Sequence, residues 1–431
     1  MRKETLEYIQ KTYRIEERTA DFVQQAEKAM ADVFSRIDEV REHNQFKVLH
    51  ALQKEGLALR HFAPTTGYGY DDIGRDTLDR VFASALGAED ALVRPQLTSG
   101  THALAMMLFG LLLPGDQLLS ITGKPYDTLE ETIGISGNAW GSLKAFGVTY
   151  GQVDLKEDGG IDVEEVLHAL TPATKMIHIQ RSRGYAWRRA LAVREIGEAI
   201  RAIKAVRPDV IVDVDNCYGE FTALLEPTDV GADVMAGSLI KNPGGGIAPT
   251  GGYIAGKKKY IERIANRLTA PGIGREVGSY AGSYAPFFQG LFLAPHVVAE
   301  SLKGAALCAR VFEMVGMPVL PDSDAVREDI IQSIRFDDPQ KLIAFCQSIQ
   351  RISPVDSNAV PEPWHMPGYQ HQVIMAAGAF VQGSSIELSA DAPIVEPYIA
   401  YMQGGLTYDH VKLAVMAALE EMIRGRMVSF F

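Results

Sequence analysis

The spacing of apolar positions changes along the chain and marks three zones. Over residues 16–42, Val23, Ala26, Met30, Val33, Ile37 and Val40 recur at mostly three- and four-residue intervals, which places one apolar stripe on a helix. A second helical stretch covers 44–59. From about residue 75, short apolar runs alternate with helical stretches. The pattern predicts a helix over 77–85 closed by Gly87, a strand over 91–94, and an apolar helix over 102–113 closed by Pro114 and Gly115. Strands are expected over 117–121, 175–180, 209–215, 233–238 and 252–255, with an amphipathic helix over 191–206. Strands separated by helices imply βαβ units and a mostly parallel sheet. Beyond about residue 295 the texture changes. A helix over 297–315 precedes short strands over 330–336, 372–376 and 384–388 and a closing helix over 409–424. The expected organisation is a helical arm over 1–60, a large α/β domain over 61–295 and a smaller α+β domain over 296–431.

Composition narrows the class. Of 431 residues, 47% are hydrophobic and 22% charged, which is ordinary for a globular chain and too apolar for disorder. Asp plus Glu number 54 against 42 Lys plus Arg, a net charge of −12, so a nucleic-acid partner is not expected. Cys217, Cys308 and Cys346 are too scattered for a disulfide framework or a paired metal spacing and fit a reducing compartment. The polar start, Met1-Arg2-Lys3-Glu4-Thr5, does not read as a secretory signal. The longest apolar stretch, 103–114, falls short of the roughly 20 residues that span a bilayer. A cytoplasmic protein is expected. His365 and His371, near Trp364 and Tyr369, have no carboxylate partner at ligand spacing, so no metal is expected.

Three segments carry candidate chemistry. In the first, a strand runs into Ser99-Gly100-Thr101-His102 and then a helix. The first N–H groups of a helix lack intrahelical partners and attract a phosphate, although Ser and Thr there also serve as simple caps. The second is Ile211-Val212-Asp213-Val214-Asp215-Asn216-Cys217-Tyr218. Its period of two places Asp213 and Asp215 on one strand face, with Asp215 at the carboxyl end, where α/β folds bind ligands. The third is Ser238-Leu239-Ile240-Lys241-Asn242-Pro243-Gly244. A lysine at a strand end before a tight turn is expected to be desolvated, with a lowered pKa that makes it a nucleophile for a carbonyl. Together they are what pyridoxal phosphate needs: a phosphate cradle, a carboxylate for the ring nitrogen and a lysine for the aldehyde.

The spacing supports this set, with 26 residues from Gly100 to Tyr126 and 26 from Asp215 to Lys241. In order and spacing, Ser99-Gly100-Thr101, Tyr126, Asp215-Asn216-Cys217-Tyr218 and Ser238-Leu239-Ile240-Lys241 resemble the cystathionine and methionine lyase group of fold-type I pyridoxal-phosphate enzymes. Four further strings narrow the likeness to its methionine γ-lyase-like, or aluminum resistance, branch. They are Tyr68-Gly69-Tyr70-Asp71-Asp72-Ile73-Gly74-Arg75, Gln180-Arg181-Ser182-Arg183-Gly184-Tyr185, Asp215 through Phe221, and 380–391. The resemblance implies a seven-stranded, mostly parallel sheet with a smaller C-terminal domain. Lys241 becomes the Schiff-base lysine and proton carrier. Asp215 becomes the partner of the pyridinium. Ser99, Gly100, Thr101 and Ser238 become phosphate holders. Tyr126 becomes the ring-stacking residue that assists the leaving group. Tyr70 becomes a residue that reaches the phosphate of a neighbouring subunit, which implies a homodimer or homotetramer with shared sites.

Two departures stand out. The lyases carry an arginine for that phosphate two residues after the tyrosine, where this chain has Asp72; Arg75 is the candidate substitute. The C-terminal arginine that binds the substrate carboxylate is also missing, since 384–396 contains none. That leaves Arg181, Arg183 and Arg188 as candidates, because arginine binds carboxylates in a bidentate fork. The activity implied is carbon–sulfur elimination from a sulfur amino acid. The same lysine and aspartate would serve an aminotransferase or an aldolase. A non-catalytic stress protein that retains the cofactor is a further alternative.

Overall fold

The computed structural model describes residues 1–137, 140–366 and 371–430. Tyr369 lies outside the described residues. The chain divides into two units, one of residues 43–184 with 190–294, the other of residues 1–42 with 185–189 and 295–431.

The first unit is built on β1 (Asp90–Arg94), β2 (Gln117–Ser120), β3 (Thr149–Gln152), β4 (Thr174–Gln180), β5 (Ile211–Asp215), β6 (Val234–Ser238) and β7 (Gly252–Gly256). They form one sheet in the order β1-β7-β6-β5-β4-β2-β3. Neighbours from β3 to β6 run parallel, and β7 is antiparallel to β6 and β1. This is the mostly parallel sheet that the alternation predicted, with the seven strands that the resemblance implied. Every residue of β5, β6 and β7 is buried, as expected of strands covered on both faces. The edge strand β3 escapes the sequence pattern because its Thr-Tyr-Gly-Gln run is partly exposed and lacks an apolar face. Helix Val193–Val206 buries Val193, Ile196, Ala199, Ile200 and Ile203, one stripe at helical spacing. It begins two residues later than predicted, where Glu195 accepts the Ala192 N–H at 3.0 Å.

The second unit holds β8 (Val319–Leu320), β9 (Ile331–Arg335), β10 (Val373–Ala376), β11 (Ser389–Pro393) and β12 (Ile399–Gln403). They form an antiparallel sheet in the order β10-β11-β12-β9-β8. Phe312, Phe336 and Phe345 meet in its core with ring centroids 5.4–6.0 Å apart. The stretch 384–388, expected as a strand, is not one. The Glu387 carboxylate accepts the N–H groups of Phe380 and Val381 at 2.8 and 2.9 Å, which folds this stretch on itself, and ladder pairing starts at Ser389. Residues from the N-terminus belong to this unit: Thr19 donates to Glu420 at 2.6 Å, and Glu27 receives Tyr408 and Lys412 at 2.8 and 2.7 Å.

Helix Ala285–Met314 starts well before the predicted 297 and runs through Pro295. Contrary to the reading that 103–114 is the longest apolar stretch, this helix is long and apolar enough to cross a membrane by length and composition. However, 72% of its most apolar window is buried inside the protein, as in a core helix.

Candidate active site

The candidate residues of the first unit gather at the carboxyl ends of the parallel strands. Asp215 is the last residue of β5, is 6% exposed, and takes the Cys217 N–H on Oδ1 at 3.1 Å. Ser238 ends the neighbouring β6, and Lys241 follows three residues later at a one-turn 3₁₀ helix, Asn242–Gly244. Helix Gly100–Leu111 points its N-terminus at the same place. A Cβ on Gly100 would lie 3.3 Å from Cys217 Sγ and 3.4 Å from Ser238 Cβ, so this turn packs closely against the segments that end β5 and β6. The Ser99 hydroxyl accepts the His102 N–H at 3.0 Å, so Ser99 acts here as the helix cap. The amides of Gly100 and Thr101 are first-turn donors without intrahelical acceptors. The hydroxyls of Thr101 and Thr128 meet at 2.7 Å, which ties this helix to the start of helix Asp127–Ile133, where Tyr126 is the cap residue.

The electrostatics of Lys241 differ from the expectation. Burial does oppose its charge, but Cys217, Tyr218, Asp215 and Glu220 face it, and their attraction sets its pKa above the ordinary lysine value. Desolvation by itself predicts the opposite direction; the groups that the fold brings around the amine reverse it. Lys241 Nζ stands 3.9 Å from the centroid of the Tyr218 ring, a cation–π distance. Burial pushes the Cys217 thiol well up, and its sulfur lies beside Gly100.

The arginines part company. Arg181 is fully buried, and its guanidinium donates to Asn216 Oδ1 at 2.9 Å, the Gly219 carbonyl at 2.8 Å and Thr222 Oγ1 at 3.1 Å. It braces the turn after β5, which takes it out of the role of substrate clamp. Arg183 is buried, and Arg188 is half-buried in the second unit. Arg75 is likewise committed: Nη1 donates to the Gly69 carbonyl at 2.9 Å and Nε to Asp76 at 2.9 Å. Asp72 accepts the N–H groups of Gly74 and Arg75 and the Tyr284 hydroxyl. These contacts shape the loop that carries Tyr68 and Tyr70, residues 72% and 64% exposed whose ring centroids lie 5.5 Å apart.

Two features were not assigned from the sequence. His178 on β4 and Asp213 on β5 are register partners, fully buried, with Nδ1 and Oδ1 2.7 Å apart. Burial opposes the imidazolium, but Asp213 and Asp215 outweigh it and raise the His178 pKa. The signal was a lone His inside an apolar strand. Glu220 is enclosed in the turn after β5, and burial pushes its pKa up to about 8. Its signal was an acid among small and aromatic residues.

The donor set fits pyridoxal phosphate. First-turn amides beside a small cradle suit a phosphate, Asp215 offers a buried acceptor at a strand end, and Lys241 offers an amine beside it. This arrangement on this sheet defines the pyridoxal-phosphate-dependent fold-type I class. At 17% identity, covering 90% of this chain and 97% of the other, the pyridoxal-5'-phosphate-dependent protein YhfS from Escherichia coli shares the fold with a TM-score of 0.60.

The chain belongs to the methionine gamma-lyase family, which it matches over residues 19–423. It is similar to YnbB of Bacillus subtilis (strain 168), 54% identical over 406 residues that cover 94% of this chain and 96% of that protein. It also resembles the solved structure of a carbon-sulfur lyase involved in aluminum resistance from Clostridium novyi NT. That likeness is 53% identity and a TM-score of 0.94, covering 98% of this chain and 100% of the other.

Proposed function

We propose that this protein is a pyridoxal-phosphate carbon–sulfur lyase that eliminates a thiol from a sulfur amino acid of the cystathionine, cysteine or methionine type. The observation that carries this is the placement of Asp215 and Lys241 at the carboxyl ends of adjacent strands, with the Gly100 turn packed against both. When bound, the cofactor supplies an electron sink for the substrate α-carbon. In this reading, Lys241 anchors the cofactor and then moves a proton at the α-carbon through Nζ. Asp215 holds a proton on the ring nitrogen. Gly100, Thr101, Ser238 and the cap at Ser99 hold the phosphate. Tyr126 stacks on the ring and gives a proton to the departing sulfur. Arg183 and Arg188 are the carriers proposed for the substrate carboxylate, and the exposed Tyr70 serves a neighbouring copy in a homodimer or homotetramer. The products are a thiol, a 2-oxo acid and ammonia.

The test has two arms. Protein loaded with pyridoxal phosphate is expected to show a visible band that borohydride abolishes, with the cofactor then recovered on the Lys241 peptide. The same sample, given cystathionine, cysteine and methionine in turn, is expected to release thiol and oxo acid from at least one of them. Amino transfer to 2-oxoglutarate without thiol release would replace the lyase reading with an aminotransferase. A Lys241→Ala chain with full biological effect would point to a non-catalytic role.

A further inference from the structure

The string Gln180-Arg181-Ser182-Arg183-Gly184 holds more than its arginines. Gln180 is the last residue of β4 and the register partner of Asp215 on β5. Both side chains stand on the sheet face covered by helix Gly100–Leu111. Met176 and Ile211, four residues earlier on each strand, share one apolar core cluster with Leu104 and Leu108 of that helix, and the period of two carries the face forward to Gln180 and Asp215. Ser238 stands on the same face, two residues beyond Ala236 of that cluster. The strand order puts β4 on one side of Asp215 and β6, with Ser238 and then Lys241, on the other.

Gln180 is buried and held at both its backbone and its side chain. Its N–H donates to Thr122 Oγ1 at 3.0 Å, and its carboxamide Nε2 donates to the Ser182 carbonyl at 3.2 Å. The chain folds back at Gly184, whose φ of +55° lies in the left-handed region. A Cβ on Gly184 would lie 3.1 Å from Gln180 Nε2 and 3.3 Å from Tyr126 Cδ2. Gly184 therefore packs against the carboxamide and the tyrosine ring at once, and the fold brings Gln180, Asp215 and Tyr126 together.

Pyridoxal phosphate carries a ring nitrogen, a hydroxyl, an aldehyde and a phosphate arm. The nitrogen lies opposite the aldehyde-bearing carbon, and the hydroxyl and the phosphate arm flank that carbon on opposite sides. With the nitrogen at Asp215 and the phosphate arm at the Gly100 turn and Ser238, on the β6 side, the hydroxyl faces the β4 side. We propose that Gln180 is a further cofactor-binding residue, whose carboxamide hydrogen-bonds the ring hydroxyl. The inference rests on the reading of Asp215 and Lys241 as cofactor residues. A carboxamide both donates and accepts, so it serves that oxygen with or without its proton. The bond fixes the rotation of the ring about the line from Asp215 to Lys241 and holds it against Tyr126.

The experiment measures, by equilibrium dialysis, the affinity of full-length protein freed of cofactor for pyridoxal phosphate and for its O-methyl ether, in which the ring hydroxyl is blocked. Wild type is expected to prefer pyridoxal phosphate. In Gln180→Met, which keeps the side-chain length without the amide, that preference is expected to shrink by about tenfold, the effect of one hydrogen bond to a charged oxygen. A purely structural role would weaken both compounds by the same factor, so an unchanged ratio in Gln180→Met overturns the proposal. If Gln180→Met does not fold, Gln180→Leu is judged on the same ratio. Equal affinity of wild type for the two compounds overturns the proposal without any variant. The reading of Lys241 fails separately, if borohydride fixes neither compound on the Lys241 peptide; the dialysis ratio still decides on Gln180.

Discussion

The two ends of strands β5 to β7 treat buried charge in opposite ways. At the amino end of β6, Asp233 is 1% exposed and fully engaged. Oδ1 meets Lys257 at 2.7 Å, and Oδ2 meets Lys204 at 2.5 Å and the Val212 N–H at 2.8 Å. Asp233 lifts the Lys257 pKa, chiefly through the hydrogen bond between them. At the carboxyl end, Lys241 has acids around it but no ion pair within 4 Å among the described residues, and Glu220 keeps an unpartnered oxygen. The first cluster closes its charges into a brace. The second leaves them unsatisfied, as a site must if a ligand is to complete it. The β-α connections put the open cluster where a parallel sheet offers diverging loops and helix N-termini.

The largest expected break in this contrast is Lys241→Ala. It should lower thiol release by about 10⁴-fold, the upper range for loss of a positioned proton carrier, while circular dichroism and unfolding midpoint stay near wild type. Asp233→Ala should do the reverse. It leaves the Val212 N–H without an acceptor and two lysines without a counter-charge. Because both lysines can turn toward water, the cost is about 3 kcal/mol, the low end for a broken buried pair. Denaturant unfolding should show it, with the Lys241 cofactor band retained in the folded fraction.

A pH series sharpens the comparison further. Burial raises the folded Glu220 pKa from the ordinary 4.5 to about 8, so in that window the native state binds more protons than the unfolded chain. The contribution is fully present below the unfolded pKa and lost as pH rises through the folded one. Wild-type stability should therefore fall relative to Glu220→Gln by up to about 1.4 kcal/mol per pH unit between about 4.5 and about 8. Parallel curves for the two proteins would remove Glu220 as a titrating group. The smallest effect is expected at the helix cap. Ser99→Ala should cost about 1 kcal/mol of stability and weaken phosphate retention, whereas Ser99→Gly should cost only a few tenths.

Much of this was legible in the residues. The period of apolar positions located β1, β2, β4, β5, β6 and β7 within two residues, because central parallel strands are continuous apolar runs. It passed over β3, whose residues are polar and at an edge, and β8 and β12. It misplaced β11, because Glu387 turns the preceding apolar stretch on its own backbone. The string after Thr98, the acid ending β5 and the lysine after β6 were readable because each sits where a secondary element ends. The arginines were less readable. Arg181 and Arg183 look alike in the string Gln180-Arg181-Ser182-Arg183, and only the turn that folds back from β5 claims the guanidinium of Arg181.

Sequence alone determined the sheet type, the order of its elements and the three segments that carry the chemistry, since periodicity and chain termini of elements are local properties. Tertiary structure decided the charge state around them. A lysine's pKa depends on which acids the fold brings within a few ångströms, and Cys217, Tyr218, Asp215 and Glu220 reach Lys241 from a turn more than twenty residues earlier in the chain. Desolvation can be guessed from a strand end, but the opposing Coulomb attraction depends on distances that only the folded chain sets.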